Sequence, residues 1–270
     1  MRNMIRIPVL LGVVILALTA CSILQEPEEA SAPIEAIPLE VESEPAEAAT
    51  EAEALPAEAE VEETAYPAPG EDVQEAVDDE AYPAPEGESA PSEPRIYVIS
   101  QADSQVRFVL DEELRGQPTT VTGVTDQVAG EIALDLNDLA ATQVGVLQIN
   151  ARTLATDNNF RNRAIQNQIL DTGTYEFITF SPTSIQGLPA SAVIGEEIDF
   201  TVAGDLTIRD VTESVLFFVS ATAVSEDQLV GVANGSVFRS DYGLEIPSVP
   251  NVANVEEEVE LYIDFVANAK

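Results

Sequence analysis

The stretch "EVELYIDFVA" at 258–267 alternates without a break. Val259, Leu261, Ile263 and Phe265 fall on one side, and Glu258, Glu260, Tyr262 and Asp264 on the other. Successive side chains of a strand leave on opposite faces, so this pattern specifies a strand with one dry and one wet face. The period recurs in "DFTVAGDLTI" (199–208), which puts Phe200, Val202, Leu206 and Ile208 together. It recurs in "EIALDL" (131–136), where Ile132, Leu134 and Leu136 oppose Glu131, Ala133 and Asp135. Further strand-like runs cover 96–100, 104–110, 119–128, 144–150, 175–181, 214–222 and 229–239. Strands with one wet face belong to antiparallel sheets, and many short ones in series predict an all-β sandwich or barrel.

A single segment breaks the pattern. In "TDNNFRNRAIQNQIL" (156–170), Phe160, Ala164, Ile165 and Ile169 recur at helical spacing and share one face. Asp157 or Asn158 is placed to cap its start and Gly173 to end it. Two arginines, Arg161 and Arg163, lie on this helix.

The chain has no histidine and one cysteine, which excludes a Ser-His-Asp triad, Cys/His metal sites and an internal disulfide. Adjacent carboxylates at Glu112–Glu113, Glu196–Glu197 and Asp78–Asp79 suggest acid–base work. Neighbours on a strand point to opposite faces, however, and no enzyme is expected. The net charge of −38 argues against nucleic acid as a partner.

That charge is concentrated. Residues 22–94 hold 23 of the 49 acidic residues, 11 of the 17 prolines and no Lys or Arg. Such a Glu/Ala/Pro-rich stretch cannot bury enough apolar surface to offset its chain entropy, and its like charges extend it. It reads as a disordered acidic tether, with "TAYPAPGE" (64–71) and "EAYPAPEG" (80–87) as an imperfect repeat within it. Before it, Arg2 and Arg6 precede an apolar run over 7–20, the pattern of a signal peptide rather than a full membrane span. The run ends in "LTAC" (18–21), which resembles a bacterial lipobox. That resemblance implies lipid attachment at Cys21 and an extracytoplasmic, membrane-anchored lipoprotein of the cell envelope. The expected organisation is a signal peptide at 1–21, a tether at 22–94 and a β domain at 95–270.

Three stretches in order resemble the YceI-like family of bacterial envelope lipid-binding proteins. In "RNRAIQNQILDTGTYEFITFSPTSI" (161–185), Arg161, Leu170–Asp171, Tyr175 and Phe180 match its helix-to-strand passage. "FTVAGDLTIRDVTESVLFFV" (200–219) resembles its hairpin, with Asp210 where that family usually has Gly. "FRSDYGL" (238–244) resembles its R-S-D-F/Y-G turn. Asn162 stands for an Asp, Glu213–Ser214 for a Lys-Pro and Asp103–Ser104 for a His-Ser pair.

The resemblance implies a lipocalin-like antiparallel β-barrel of about eight strands, capped by the one helix. Its interior would hold an isoprenoid or fatty chain, with no cofactor and no metal. Alternation alone leaves open whether the inward residues line a cavity or fill a core. On the cavity reading, Phe108, Phe160, Ile165, Ile169, Ile178, Phe180, Leu206, Phe217 and Phe238 contact the lipid, and Arg161 and Arg163 meet its head group. The implied function is a membrane-tethered, non-catalytic holder of an amphiphilic lipid, for transport, storage or scavenging. A surface or adhesive β domain that binds protein or glycan is the alternative.

Overall fold

The computed structural model describes residues 26–31, 33–39 and 94–270, all of which lie within one compact unit (residues 1–40 and 93–270). Its strands are β1 (Arg95–Ile99), β2 (Gln105–Leu114), β3 (Gln117–Thr125), β4 (Val128–Ala129), β5 (Glu131–Asp135), β6 (Asp138–Val144) and β7 (Leu147–Asn150). After helix α1 (Asn159–Ala164) come β8 (Phe177–Gln186), β9 (Glu197–Ile208), β10 (Val211–Ser225), β11 (Gln228–Phe238), β12 (Val252–Ala253) and β13 (Glu258–Ala269). All ten runs that alternate in the sequence are strands; β4, β6 and β12 are additional. The sheet runs β4-β7-β8-β9-β10-β11-β13-β1-β5-β6, antiparallel throughout. The β2–β3 hairpin joins it through β13.

Closure depends on one continuous piece of chain. β4 pairs with β7, and β5, one residue further on, pairs with β1. Residues 128–135 therefore tie the two ends of the sheet and curl it into a barrel. Gly130 stands at the join, where a Cβ would run into the Leu147 side chain.

The barrel has two different ends. One carries the β2–β3 and β9–β10 turns, the helical connection between β7 and β8, and the 239–257 passage. The other carries the β5–β6 and β10–β11 turns and the 187–196 loop. At this second end the interior is packed. Val202, Val219, Leu229, Ala223 and Ala267 are buried there, and Tyr97, fully buried, donates its hydroxyl to the Glu226 carbonyl at 2.7 Å.

The helix forms as expected, with two differences. Asn158 caps it, its side chain accepting from the Phe160 and Arg161 amides. After Ala164 it runs on as one π-helical turn over Ile165–Ile169. Its end is set by Asp171, which adopts a positive φ of 47°, and not by Gly173. Asp tolerates the left-handed region better than most residues because its short side chain can hydrogen-bond locally.

Part of the expected tether lies on the barrel. Residues 26–31 and 33–39 run extended along its outer wall as a strap. At the helical end, Arg152 holds the strap through the Glu28 carboxylate at 3.0 Å and the Glu29 carbonyl at 3.1 Å. Glu176 accepts from both the amide and the hydroxyl of Ser31, at 2.7 and 2.6 Å. Midway, Ile34 is buried and its carbonyl accepts from Gln101. Towards the other end, the Leu39 amide donates to Glu131 at 2.9 Å. Residues 26–31 and 33–39 of the expected tether thus lie against the barrel, and, Pro94 apart, its remainder lies outside the described residues. The strap also explains why Glu131, on the expected wet face of β5, is buried: Leu39 and Lys270 lie over it.

Both latch carboxylates are held below their ordinary range. Burial alone would raise them. Hydrogen bonds from Lys270 and the Leu39 amide outweigh it at Glu131, and those from Ser31 and Asn150, with the Arg152 charge, at Glu176. A carboxylate with a depressed folded pKa stabilises the folded state above its unfolded value of about 4.3, and that contribution is lost as pH falls through the folded value. The strap is therefore expected to stay docked at neutral pH and to come loose below about pH 4. Protease cleavage within 26–39 that accelerates in acid before the barrel unfolds is the expected result; an equal rate at pH 7 and pH 3.5 would contradict it.

Candidate functional site

A cavity of about 440 Å³ opens at the helical end. One wall is β2 and β3, through Phe108, Leu110 and Val121; Val259 and Leu261 of β13 adjoin it. Ile178 and Ile208, near the helical ends of β8 and β9, make the opposite side. The helix lies across the opening and presents Phe160, Ala164, Ile165 and Ile169 inward. The remaining cover is the passage after β11, through Leu244, Ile246, Val249 and Val252.

The sequence-predicted residues divide by height in the barrel. Phe108, Phe160, Ile165, Ile169 and Ile178 line the cavity. Phe180, Leu206 and Phe217 do not; they are buried in packed core, where the Phe180 and Phe217 rings meet edge to face at 5.0 Å. Phe238 is a correction of another kind. It is 50% exposed and faces outward, paired across β13 with Glu258. It immediately precedes Arg239, whose side chain turns inward, and a strand period of two requires opposite directions.

Among the described residues, three charged side chains line this apolar space: Glu112, Arg161 and Arg239. Arg161 reaches across the opening to Glu112 at 2.8 Å and back along the helix to Asp157 at 2.5 Å. The Glu112 side chain is 7% exposed and Arg161 16%, so the pair is largely desolvated and compensates itself. Arg163 is absent from the lining. The expected carboxylate pairs do not converge: Glu113 accepts from Asn254, Glu196–Glu197 are exposed, and Asp78–Asp79 lie outside the described residues. Among the described residues no cluster of His, Cys, Asp or Glu could hold a metal ion, and no helix is long and apolar enough to cross a membrane. Cys21 also lies outside them.

The cover passage is fixed by a residue whose role the sequence does not announce. Arg239, buried at the end of β11, donates to the carbonyls of Leu244, Val255 and Glu256 and pairs with the Glu257 carboxylate at 2.8 Å. One guanidinium thus pins both ends of the 244–257 segment. Gly243 makes the turn possible with a φ of 61°, a conformation glycine adopts without steric cost. The Tyr242 ring is buried beneath it, and burial, with smaller contributions from Glu213 and Asp241, pushes its hydroxyl up to about 12. Arg239 and Gly243 are therefore what the "FRSDYGL" stretch contributes: a rigid hinge for the cavity's cover.

No protein among curated sequences matches this chain. Among solved structures, a polyisoprenoid binding domain from Saccharophagus degradans implicated in plant cell wall breakdown aligns over 66% of this chain and 99% of its own, at 16% identity and a TM-score of 0.52. BcnA of Burkholderia cenocepacia covers 63% of this chain and 99% of its own at 20% identity and a TM-score of 0.49. A YceI protein of Campylobacter jejuni covers 53% and 81% at 18% and 0.44. The first of these likenesses bears on the fold alone and agrees with a curled antiparallel barrel. Residues 97–267 match the YceI-like domain, which takes in nearly every strand and the whole cavity, and the chain belongs to that family.

Proposed function

We propose that this protein is a non-catalytic carrier that holds the tail of an amphiphilic lipid, a polyisoprenoid or fatty chain, in the cavity under its helix. The observation that carries the reading is the cavity itself: a preformed space of about 440 Å³, walled by aliphatic and aromatic side chains and open at one end. Preformed apolar clefts of this size are typical of small-molecule sites. Family membership and the Saccharophagus domain's polyisoprenoid support the choice of an isoprenoid.

Size sets the extent of the guest. At about 30 Å³ per water-sized group, the space holds about fifteen heavy atoms, or about three isoprene units. A longer tail extends out past the helix. Apolar burial of roughly 25 cal/mol per Å² drives retention, less the association cost. The rim favours an uncharged head. Arg161, proposed from sequence as a head-group ligand, already serves Glu112 and Asp157, so the rim trio carries a net negative charge. A phosphate there would face a carboxylate for each free donor it gained.

Purified protein, extracted with organic solvent and examined by mass spectrometry, should yield one neutral isoprenoid or fatty lipid per chain. Absence of any stoichiometric lipid, together with failure to take up a prenol or quinone from micelles, would reject the carrier reading.

We further propose that Cys21 anchors the chain to a membrane of the cell envelope, on the strength of "LTAC" and the apolar run before it. Cys21→Ser is expected to move the protein from the membrane fraction to the soluble fraction, or to stall its maturation, with the barrel's circular dichroism unchanged. A processed Cys21→Ser protein that still sediments with membranes would refute the anchor.

A further inference from the structure

We propose that the strap, and not the long acidic segment after it, sets how the barrel meets the membrane, and that it holds the cavity's opening against the lipid surface. This rests on the anchor at Cys21 and names the surface that the anchored carrier presents.

Three observations converge. The strap begins at the open end: Glu28 lies 3.8 Å from the Cβ position of Gly173, three residues past the lining residue Leu170, and is gripped by Arg152. It then travels away from the opening. Leu39 ends against Glu131 and touches the Cβ position of Gly145, beside the loops of the closed end. The acidic segment therefore leaves from the closed-end side. It also returns there: Arg95, the first residue of β1, pairs with Leu134 and donates to the Glu226 carbonyl and the Asp227 carboxylate of the β10–β11 turn. Both roots of residues 40–93 thus lie along β5, since Glu131 pairs with Val98 and Leu134 with Arg95. Residues 40–93 follow the strap in the chain, so they add nothing to the distance between position 21 and the barrel.

The leash that remains is short. Four residues separate Cys21 from Glu26, and the five steps of extended chain between them span at most about 18 Å. β10 alone, at 15 residues, is about 50 Å long before tilt. The closed end is thus the far end from an anchored position 21. The rim at the near end suits a lipid surface: Phe160 and Val249 line the cavity and are 68% and 37% exposed. Large apolar side chains at such an edge gain by entering the interfacial region of a bilayer. With the opening on the membrane, a tail passes between bilayer and cavity without crossing water.

The test exploits the absence of tryptophan from the chain. Single donors are placed by Gln117→Trp at the open end and by Ser191→Trp at the closed end, both exposed sites. The chain from Cys21 onward is coupled through that thiol to maleimide-phosphatidylethanolamine in phosphatidylcholine vesicles carrying a dansyl lipid. Energy transfer from Gln117→Trp should exceed that from Ser191→Trp several-fold. Deleting residues 40–93, with a short Gly/Ser join, should leave both values unchanged. Ile34→Asp, which frees the strap without touching the barrel, should lower the first and abolish the difference. Equal transfer from the two sites in the intact chain would overturn the proposal, as would a large change on deleting 40–93 or a difference that survives Ile34→Asp. Chemical coupling makes these outcomes independent of whether cells lipidate Cys21, which membrane partition of the cell-made protein reports separately.

Discussion

Ile165→Glu is expected to lower bound lipid by ~tenfold or more while leaving the far-ultraviolet circular dichroism of the barrel in place. Ile165 is 8% exposed and projects from the π-helical turn into the cavity, so a carboxylate there has room but neither water nor a cationic partner of its own. Arg161, one turn back, is already engaged by Glu112 and Asp157. An ionised group facing an apolar guest costs several kcal/mol, and emptying the cavity to admit water relieves it. Lipid per mole of protein, read beside the circular dichroism, decides. Full lipid content in a folded variant would show that the helix does not close the cavity. Ala164→Trp offers an independent check, because it fills the same space without charge and should reduce lipid uptake while holding or raising stability.

The second large effect concerns stability. Arg161→Met leaves Glu112, whose side chain is 7% exposed, without its partner at 2.8 Å. Breaking a buried pair from one side typically costs about 3–5 kcal/mol, because a desolvated charge is left uncompensated. The exposed Asp157 contact contributes little to that sum. Replacing both partners, as Arg161→Met with Glu112→Leu, should recover most of the loss, since apolar groups of similar volume often substitute for a buried ion pair at no cost. Urea midpoints of the wild type, both single variants and the double variant form the cycle that tests it. A single-variant loss below about 1 kcal/mol, or no recovery in the double, would mean that the pair is solvated in practice.

How much of this was readable in the chain differs from element to element. The strands were readable because a period of two survives wherever one face is dry. Val259, Leu261 and Ile263 do face inward as their spacing requires. The helix and its inward face were readable for the same reason at period 3.6. Alternation fixes the side of the sheet but not the height in the barrel. Phe108 and Phe180 are equivalent by pattern, yet one lines the cavity and the other lies in packed core. Height follows from register, which long-range pairing sets and local sequence does not show. The cover passage was missed because "LEIPSVPNVANV" (244–255) has no period at all; its signal was a density of Ile, Pro and Val in a stretch whose prolines rule out a long strand or helix. The strap was hidden by the composition around it. Ile34, Ile37 and Leu39 form the densest aliphatic cluster after Leu24 in that acidic stretch, and averaging over seventy-odd residues of Glu, Ala and Pro buried the hint.

The packing of the barrel's second end has a kinetic consequence. Because Val202, Val219, Leu229 and Ala267 fill that end, the cavity is a cul-de-sac. On the proposed carrier reading, a tail backs out by the door through which it came, head group leading. Loading and unloading then share one transition state, governed by how far the helix and the Arg239-pinned cover give way. Off-rates should rise steeply with each methylene taken off the tail, while on-rates stay nearly constant.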